Sequence, residues 1–172
     1  MIIRPLEVSH DRRGFDCGVI ALNDFLRKTA RQHREKGLSN TFVLAEEGTP
    51  NAILGFFTLS FLEVDVSAVP GEYTRRLPKS TPLPAGKLAR LAVHTHHWSK
   101  GYGAILLADS VKRMVRTAGE SGGIVGLFVD AKDEQAGQFY RKFGFISLHD
   151  APLNLFLPLK TMLGGLNHKE FL

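Results

Sequence analysis

The chain has 172 residues, with 44% hydrophobic and 23% charged side chains, which suits one ordinary domain with a packed core and excludes a disordered or fibrous chain. A formal net charge of +5 is compatible with a polyanionic partner, although a merely basic surface satisfies the same number. No apolar run approaches the roughly 20 residues that span a bilayer, the start Met1-Ile-Ile-Arg-Pro-Leu-Glu7 lacks the layout of a signal peptide, and the single Cys17 cannot close an internal disulfide, so a cytoplasmic protein without membrane attachment is expected.

In chain order, Ile2 to Val8 reads as a first strand. Ala21 to Glu35 reads as a helix through Leu22, Phe25, Leu26 and Ala30, ended by Gly37. Thr41 to Ala45 and Ile53 to Val64 are β-rich runs joined by the turn Glu46-Glu-Gly-Thr-Pro-Asn51, a hairpin. Residues 67 to 86 hold prolines and glycines and predict an irregular connection with one short helix around Glu72 to Arg76. Lys87 to Val93 is a strand. Gly103 to Ala118 is an amphipathic helix, broken by Gly119, Gly122 and Gly123. Ile124 to Val129 is apolar throughout, as a strand buried on both faces is. Asp133 to Lys142 is a short helix closed by Gly144, and Phe145 to Leu148 with Leu153 to Leu159 form a last pair of strands. The order from residue 87 predicts parallel pairing of its first two strands through a right-handed crossover, and the hairpin before it makes the sheet mixed. No repeat or domain boundary is visible, so residues 1–172 are expected to form a single domain.

The most telling stretch is Leu91-Ala-Val-His-Thr-His-His-Trp-Ser-Lys-Gly-Tyr-Gly-Ala-Ile-Leu-Leu107. An apolar strand enters a short loop with Gly101 and Gly103, and a helix follows at once. Unpaired N–H groups and the helix dipole make such a turn a site for a diphosphate, and Lys100 adds a positive charge. Neither G-x-x-x-x-G-K-[ST] nor G-x-G-x-x-G is present: Leu88 follows Gly86-Lys87, and Leu106 fills the third glycine position. His94, His96 and His97 cluster beside the loop, but no Cys or carboxylate motif completes a metal-ligand set, so no metal is expected. Cys17 has no local partner base and reads as a small packing residue. Arg27, Lys28, Arg31, Arg34 and Lys36 give one helical segment a positive charge, and Arg75 and Arg76 form a second basic pair. Each group reads either as a solvated face or as a contact for RNA.

Taken together, Leu91-Ala-Val93, Trp98-Ser-Lys-Gly-Tyr-Gly103, Asp133-Glu-Gln-Ala-Gly-Gln-Phe-Tyr140 and Gly144-Phe145 resemble the GNAT family of acetyl-CoA-dependent N-acetyltransferases. That family's usual fingerprint is a strand, then [Gln/Arg]-x-x-Gly-x-[Gly/Ala], a helix, Asn-x-x-Ala-x-x-Phe-Tyr and Gly-Phe. Phe15-Asp-Cys-Gly18, Leu22-Asn-Asp-Phe-Leu26, Thr41-Phe-Val43 and Leu88-Ala-Arg-Leu-Ala-Val93 look like the family's toxin branch, whose members acetylate aminoacyl-tRNA and pair with ribbon-helix-helix antitoxins. Three positions depart from the pattern: Trp98 stands for Gln or Arg, Ser99 for a frequent Gly, and Asp133 for Asn, whose amide can donate where a carboxylate cannot.

The resemblance implies an α/β fold with a central mixed sheet, splayed parallel strands and flanking helices. Acetyl-CoA would be held by the backbone of Leu91, Ala92 and Val93, by the N–H groups of Trp98, Ser99, Lys100, Gly101, Tyr102, Gly103 and Ala104, and by Asp133 and Phe139. Tyr140 would serve as general acid, and a backbone N–H near Val93 would face the developing oxyanion. The acceptor would be the amine of aminoacyl-tRNA, with RNA phosphates on Arg27, Lys28, Arg31, Arg34, Lys36, Arg75 and Arg76. A ribbon-helix-helix antitoxin and a second copy of the chain are the implied protein partners. Two alternatives stay open: an acetyltransferase of a small-molecule or protein amine, and a non-enzymatic nucleic-acid-binding module.

Overall fold

A computed structural model describes residues 1–79 and 82–167 of the chain. Its elements are β1 (Ile2–Pro5), α1 (Ile20–Asp24), a π-helical turn (Phe25–Thr29), α2 (Ala30–Glu35), β2 (Asn40–Ala45), β3 (Gly55–Val64), a 3-10 turn (Val66–Ala68), α3 (Gly71–Thr74), β4 (Leu83–Val93), a second 3-10 turn (Thr95–His97), α4 (Tyr102–Ser121), β5 (Gly126–Asp130), α5 (Glu134–Lys142), β6 (Ile146–Leu148), β7 (Ala151–Pro158) and α6 (Leu159–Asn167). The strands form a mixed sheet in the order β1-β2-β3-β4-β5-β7-β6, which is the α/β mixed-sheet class expected from the sequence. Backbone contacts divide the chain into two compact units, one of Met1–Ser60 with Ala89–Ser110 and one of Phe61–Leu88 with residues 111–167.

In the first unit β1 lies antiparallel to β2 with Ile2 opposite Ala45, and β2 and β3 form the expected hairpin with Phe42 opposite Phe57. Leu6, Phe15, Phe25, Leu26, Val43, Ile53, Phe56 and Ala92 share one core cluster, and Cys17 packs among them, in the packing role read from the sequence. Each large apolar side chain buried there contributes about 1.5–3 kcal/mol. The helical stretch from Ile20 to Glu35 is longer by one residue than expected and widens at Phe25–Thr29 into a π turn. A Cβ on Gly55 would lie 2.8 Å from Leu106 Cδ1 and 2.9 Å from the Ala92 carbonyl oxygen, so only glycine lets β3, the end of β4 and the first turns of α4 approach this closely.

In the second unit β4 pairs in parallel with β5, Gly86 opposite Leu127 and Leu88 opposite Val129. The predicted parallel pair is therefore present. β5 buries Gly126 to Val129, matching its unbroken apolar run, and pairs on its other edge antiparallel with β7, Phe128 opposite Phe156. β6 and β7 form the expected closing pair.

The first strand stops at Pro5, short of the expected Val8, and three further elements differ more from the sequence reading. β4 begins at Leu83, inside the stretch expected to be irregular. Pro84 is exposed and its carbonyl accepts from the Val125 N–H at 3.0 Å, so a residue without a donor still contributes to the strand. Residues 80 and 81 of that connection lie outside the described residues. α4 runs through Gly119 to Ser121 and stops at Gly122 and Gly123, whose φ values of 69° and 73° no helix can hold. α6 follows β7 directly where no helix was expected; Gly164 and Gly165 weaken its propensity, yet Met162 is fully buried and anchors it.

Candidate active site

The strand–loop–helix stretch lies wholly in the first unit. β4 ends at Val93, His94 donates its N–H to the Leu54 carbonyl at 2.9 Å, and Thr95 donates to the Asp16 carbonyl at 2.9 Å. The chain then turns through Thr95–His97. Ser99 has φ 62° and Gly101 φ 80°, so two left-handed residues bracket Lys100 and aim the loop at the start of α4. Within the loop the Trp98 N–H bonds the Thr95 carbonyl at 3.3 Å, and the Ala104 N–H bonds the Gly101 carbonyl at 3.1 Å. Of the donors read from the sequence, those at the two ends, Trp98 and Ala104, are thus committed to the fold. The N–H groups of Tyr102 and Gly103 open a 20-residue helix and have no intrahelical acceptor by geometry. A run of first-turn donors, two left-handed turns and a lysine is a donor set that fits a diphosphate.

The loop's side chains are tied to one another. Lys100 Nζ donates to His97 Nδ1 at 3.3 Å, and the His97 ring stacks on Tyr102 with centroids 5.6 Å apart. Burial, and next the Lys100 ammonium, push the His97 pKa below its usual value, so it is neutral at pH 7 and accepts. His94 meets the carbonyl of Gly14 through Nε2 at 3.2 Å, while its Nδ1 accepts the His96 N–H. The histidines therefore shape the loop. Among the described residues no group of three or more His, Cys, Asp or Glu side chains is gathered in a metal-binding arrangement.

The N-terminal motifs supply the loop's footing. Asp16 Oδ1 accepts from the Gly18 N–H at 2.8 Å and from Asn23 Nδ2 at 2.8 Å, while Asn23 Oδ1 accepts from the Cys17 N–H at 3.0 Å. The Gly18 amide, and then the Asn23 amide, hold the Asp16 carboxyl below the usual carboxylate range. This reciprocal clasp joins Phe15–Gly18 to α1, and Thr95 ties it to the loop. A third motif closes the set: the Arg90 guanidinium sits 3.6 Å over the Phe25 ring. Arg90 was not singled out from the sequence, and its place in the Leu88–Val93 motif was the available signal.

The basic stretch of the first unit splits into two kinds of residue. Arg27 donates to the carbonyls of Phe15 at 2.8 Å and of Arg12 and Arg13 at 3.4 Å each, and Arg34 donates to the Leu6 carbonyl at 3.0 Å. These two pin the chain preceding α1. Lys28 and Arg31 make exposed pairs with Asp24 and Glu35, at 3.0 and 3.2 Å, and Lys36 is exposed. Such surface pairs hold little free energy and yield readily to another anion. Arg12 and Arg13, which the sequence reading passed over, line a recess of about 590 Å³ with His10, Asp11, Arg27 and Lys28. The Arg12-Arg13 dipeptide was its sequence signal.

The second unit holds Asp133, Phe139, Tyr140, Arg75 and Arg76. Asp133 is the N-cap of α5, its carboxylate accepting from the Ala136 N–H at 2.8 Å. This accounts for a carboxylate in place of an amide, since Asp and Asn cap equally well. Phe139 is half-buried, with its ring 5.2 Å from both Tyr140 and Phe143. Tyr140 is 7% exposed and its ring lies 5.4 Å from Phe145. Burial raises the Tyr140 pKa well above the ordinary tyrosine value, so the phenol stays protonated at neutral pH. Arg75 and Arg76 follow α3 and are exposed. No helix among the described residues is long and apolar enough to cross a membrane.

Comparison with known proteins bears on both units. The sequence profile of the acetyltransferase (GNAT) family matches residues 10–145. A tRNA-acetylating toxin of Mycobacterium tuberculosis is 33% identical over 157 residues, covering 91% of each chain. Among solved structures, a tyrosine-to-phenylalanine mutant of KacT superposes with a TM-score of 0.87 at 29% identity, covering 95% of this chain and 97% of its own. AtaT complexed with acetyl-methionyl-tRNAfMet gives 0.85 at 32% identity, with 94% and 96% covered. Further relatives of that type were solved as AtaTR with AcCoA, at 32% identity, and as a tyrosine-to-phenylalanine AtaT mutant with the C-terminus of the antitoxin AtaR, at 30%. The strand–Gly-x-Gly–helix stretch, the Phe-Tyr pair of α5 and these likenesses agree: the chain belongs to the acetyltransferase (GNAT) family.

Proposed function

We propose that this protein transfers the acetyl group of acetyl-CoA to the amine of an aminoacyl-tRNA, as the toxin of a type II toxin–antitoxin pair. The observation that carries the reading is the likeness to the Mycobacterium tuberculosis tRNA-acetylating toxin, which extends over 91% of the chain. It thus includes the N-terminal half where the Asp16–Asn23 clasp stands. We propose residues 1–172 as one catalytic domain, working in the cytoplasm as a homodimer and silenced by a ribbon-helix-helix antitoxin.

Bound acetyl-CoA supplies an activated acyl thioester. The N–H groups of residues 99–103 and Lys100 take the pyrophosphate, and the backbone of Leu91 to Val93 pairs with the pantetheine arm as an added strand. This fixes donor and amine in one geometry and removes much of the entropic barrier. The Val93 N–H stabilises the oxyanion. Tyr140 gives its proton to the departing thiolate. Its raised pKa keeps it loaded at neutral pH, and the proton that the amine sheds on acylation passes through solvent to restore the phenol. An aminoacyl ester amine is a weaker base than a lysine amine, so much of it is already neutral near pH 7 and needs little help from a general base.

RNA phosphates settle on the loosely held cations Lys28, Arg31 and Lys36 and on Arg75 and Arg76. Changing Lys28, Arg31 and Lys36 together to Gln should weaken acetylation of charged tRNA and lower its salt slope by about one per lost contact. Acetyl-CoA affinity should stay the same. A free amino-acid amide or a polyamine acetylated as efficiently as charged tRNA would overturn the acceptor and leave a small-molecule acetyltransferase.

A further inference from the structure

The sole tryptophan of the chain sits on the strand edge that the pantetheine arm is proposed to use. At the end of β4 the His94 N–H is directed to Leu54. Backbone groups of successive extended residues point to opposite edges, so the Val93 N–H and carbonyl face away from Leu54. Trp98 fills that edge. Its indole Nε1–H donates to the Val93 carbonyl at 3.0 Å, across a loop of only four intervening residues. The benzo edge next to that nitrogen lies beside Gly18, where a Cβ would stand 3.5 Å from Cζ2 and Cη2. The residue is nevertheless 59% exposed. A neutral hydrogen bond holds a ring that is mostly exposed, and such a bond exchanges readily for another partner.

We propose that Trp98 is a latch on β4: its indole satisfies the Val93 carbonyl in the free protein and must leave when a pantetheine amide takes that place. A carbonyl has a second lone pair, but an indole lying along the edge occupies the seat of an incoming strand, so the two donors compete for space as well as for the oxygen. The family fingerprint has Gln or Arg here, without a ring to fill the edge. Trp98 is thus a positioning residue that departs from that fingerprint, and its role rests on the acetyl-CoA reading above.

Because the chain has one tryptophan, its fluorescence reports Trp98 alone. The emission is followed while the intact protein is titrated with acetyl-CoA, and separately with adenosine 3′,5′-bisphosphate, which has no pantetheine arm; calorimetry runs in parallel. Acetyl-CoA should shift the emission and the bisphosphate should not. Trp98→Phe keeps an aromatic ring and loses the donor, so it should bind acetyl-CoA about 2–10-fold tighter, the worth of one neutral hydrogen bond, with bisphosphate affinity unchanged. Unaltered emission at calorimetric saturation, or equal or weaker binding by the variant, overturns the latch and leaves the cofactor assignment standing. Absence of any acetyl-CoA binding overturns both.

Discussion

In the mechanism we propose, the loop from His94 to Gly103 and the helix α5 contribute by opposite means. The loop offers backbone N–H groups, set by two left-handed residues and by ties to Asp16 and Leu54. Helix α5 offers one side chain, the phenol of Tyr140, held by the rings of Phe139 and Phe145. A site made of backbone tolerates exchange of side chains as long as φ and ψ survive. A site made of a side-chain atom tolerates none. On that proposal, Trp98 and Ser99 can depart from the family pattern while the Phe139-Tyr140 pair keeps to it.

The sharpest break of this comparison is Tyr140→Phe. It removes only the proton donor, so turnover should fall about 10²–10⁴-fold with acetyl-CoA affinity nearly unchanged, by steady-state kinetics and calorimetry. Since burial raises its pKa, the wild-type enzyme should keep its acid form up to at least pH 10. Unaltered turnover with chemistry rate-limiting would return Tyr140 to a packing role.

The backbone half is tested by shape, and its effect falls on binding. Gly103→Val puts a branched side chain where we propose that phosphates approach the first turn of α4. Losing one or two charge-assisted hydrogen bonds should weaken acetyl-CoA about 10–100-fold, with turnover retained at saturation. Full affinity in that variant would move the pyrophosphate elsewhere. The smallest effect is expected at Ser99, whose φ of 62° strains a residue with a Cβ. Ser99→Gly relieves roughly 1–2 kcal/mol of that strain, against roughly 0.5–1 kcal/mol of added chain entropy. A gain of at most about 1.5 kcal/mol in unfolding free energy should result, read as a raised urea midpoint, with the same cofactor affinity. A loss of stability would mean that the serine hydroxyl holds the loop.

The two regions also differ in how far they could be read in advance. The Gly101-Tyr-Gly103 turn and the amphipathic run into α4 are local patterns, and the loop lies where they indicate. The burden on each basic residue was not local. Arg27 reaches the carbonyls of Arg12, Arg13 and Phe15, and Arg34 reaches Leu6, 28 positions earlier, so charge that looked uniform along the helix is partly consumed by the fold. Asp133 looked like an impaired cofactor ligand because its bond to the Ala136 N–H belongs to the helix start. The residues around Pro84 and Gly86 read as irregular because proline and glycine oppose strands, yet a missing side chain at Gly86 is what admits Met114, whose sulfur would lie 2.6 Å from a Cβ there. In α6, tertiary burial of Met162 outweighs two glycines.

The π turn at Phe25–Thr29 bears on how this chain is aligned with its relatives. A helix absorbs one surplus residue without breaking by widening a single turn. A relative whose helix is regular throughout needs one residue fewer between the counterparts of Asn23 and Ala30. Pairing the two sequences without a gap would displace every later helical position by one, or about 100° around the axis. Arg31 would then be matched to a residue on another face. Against any relative whose helix lacks this π turn, basic positions can be matched directly before Phe25, and past Thr29 only after a one-residue gap has been placed.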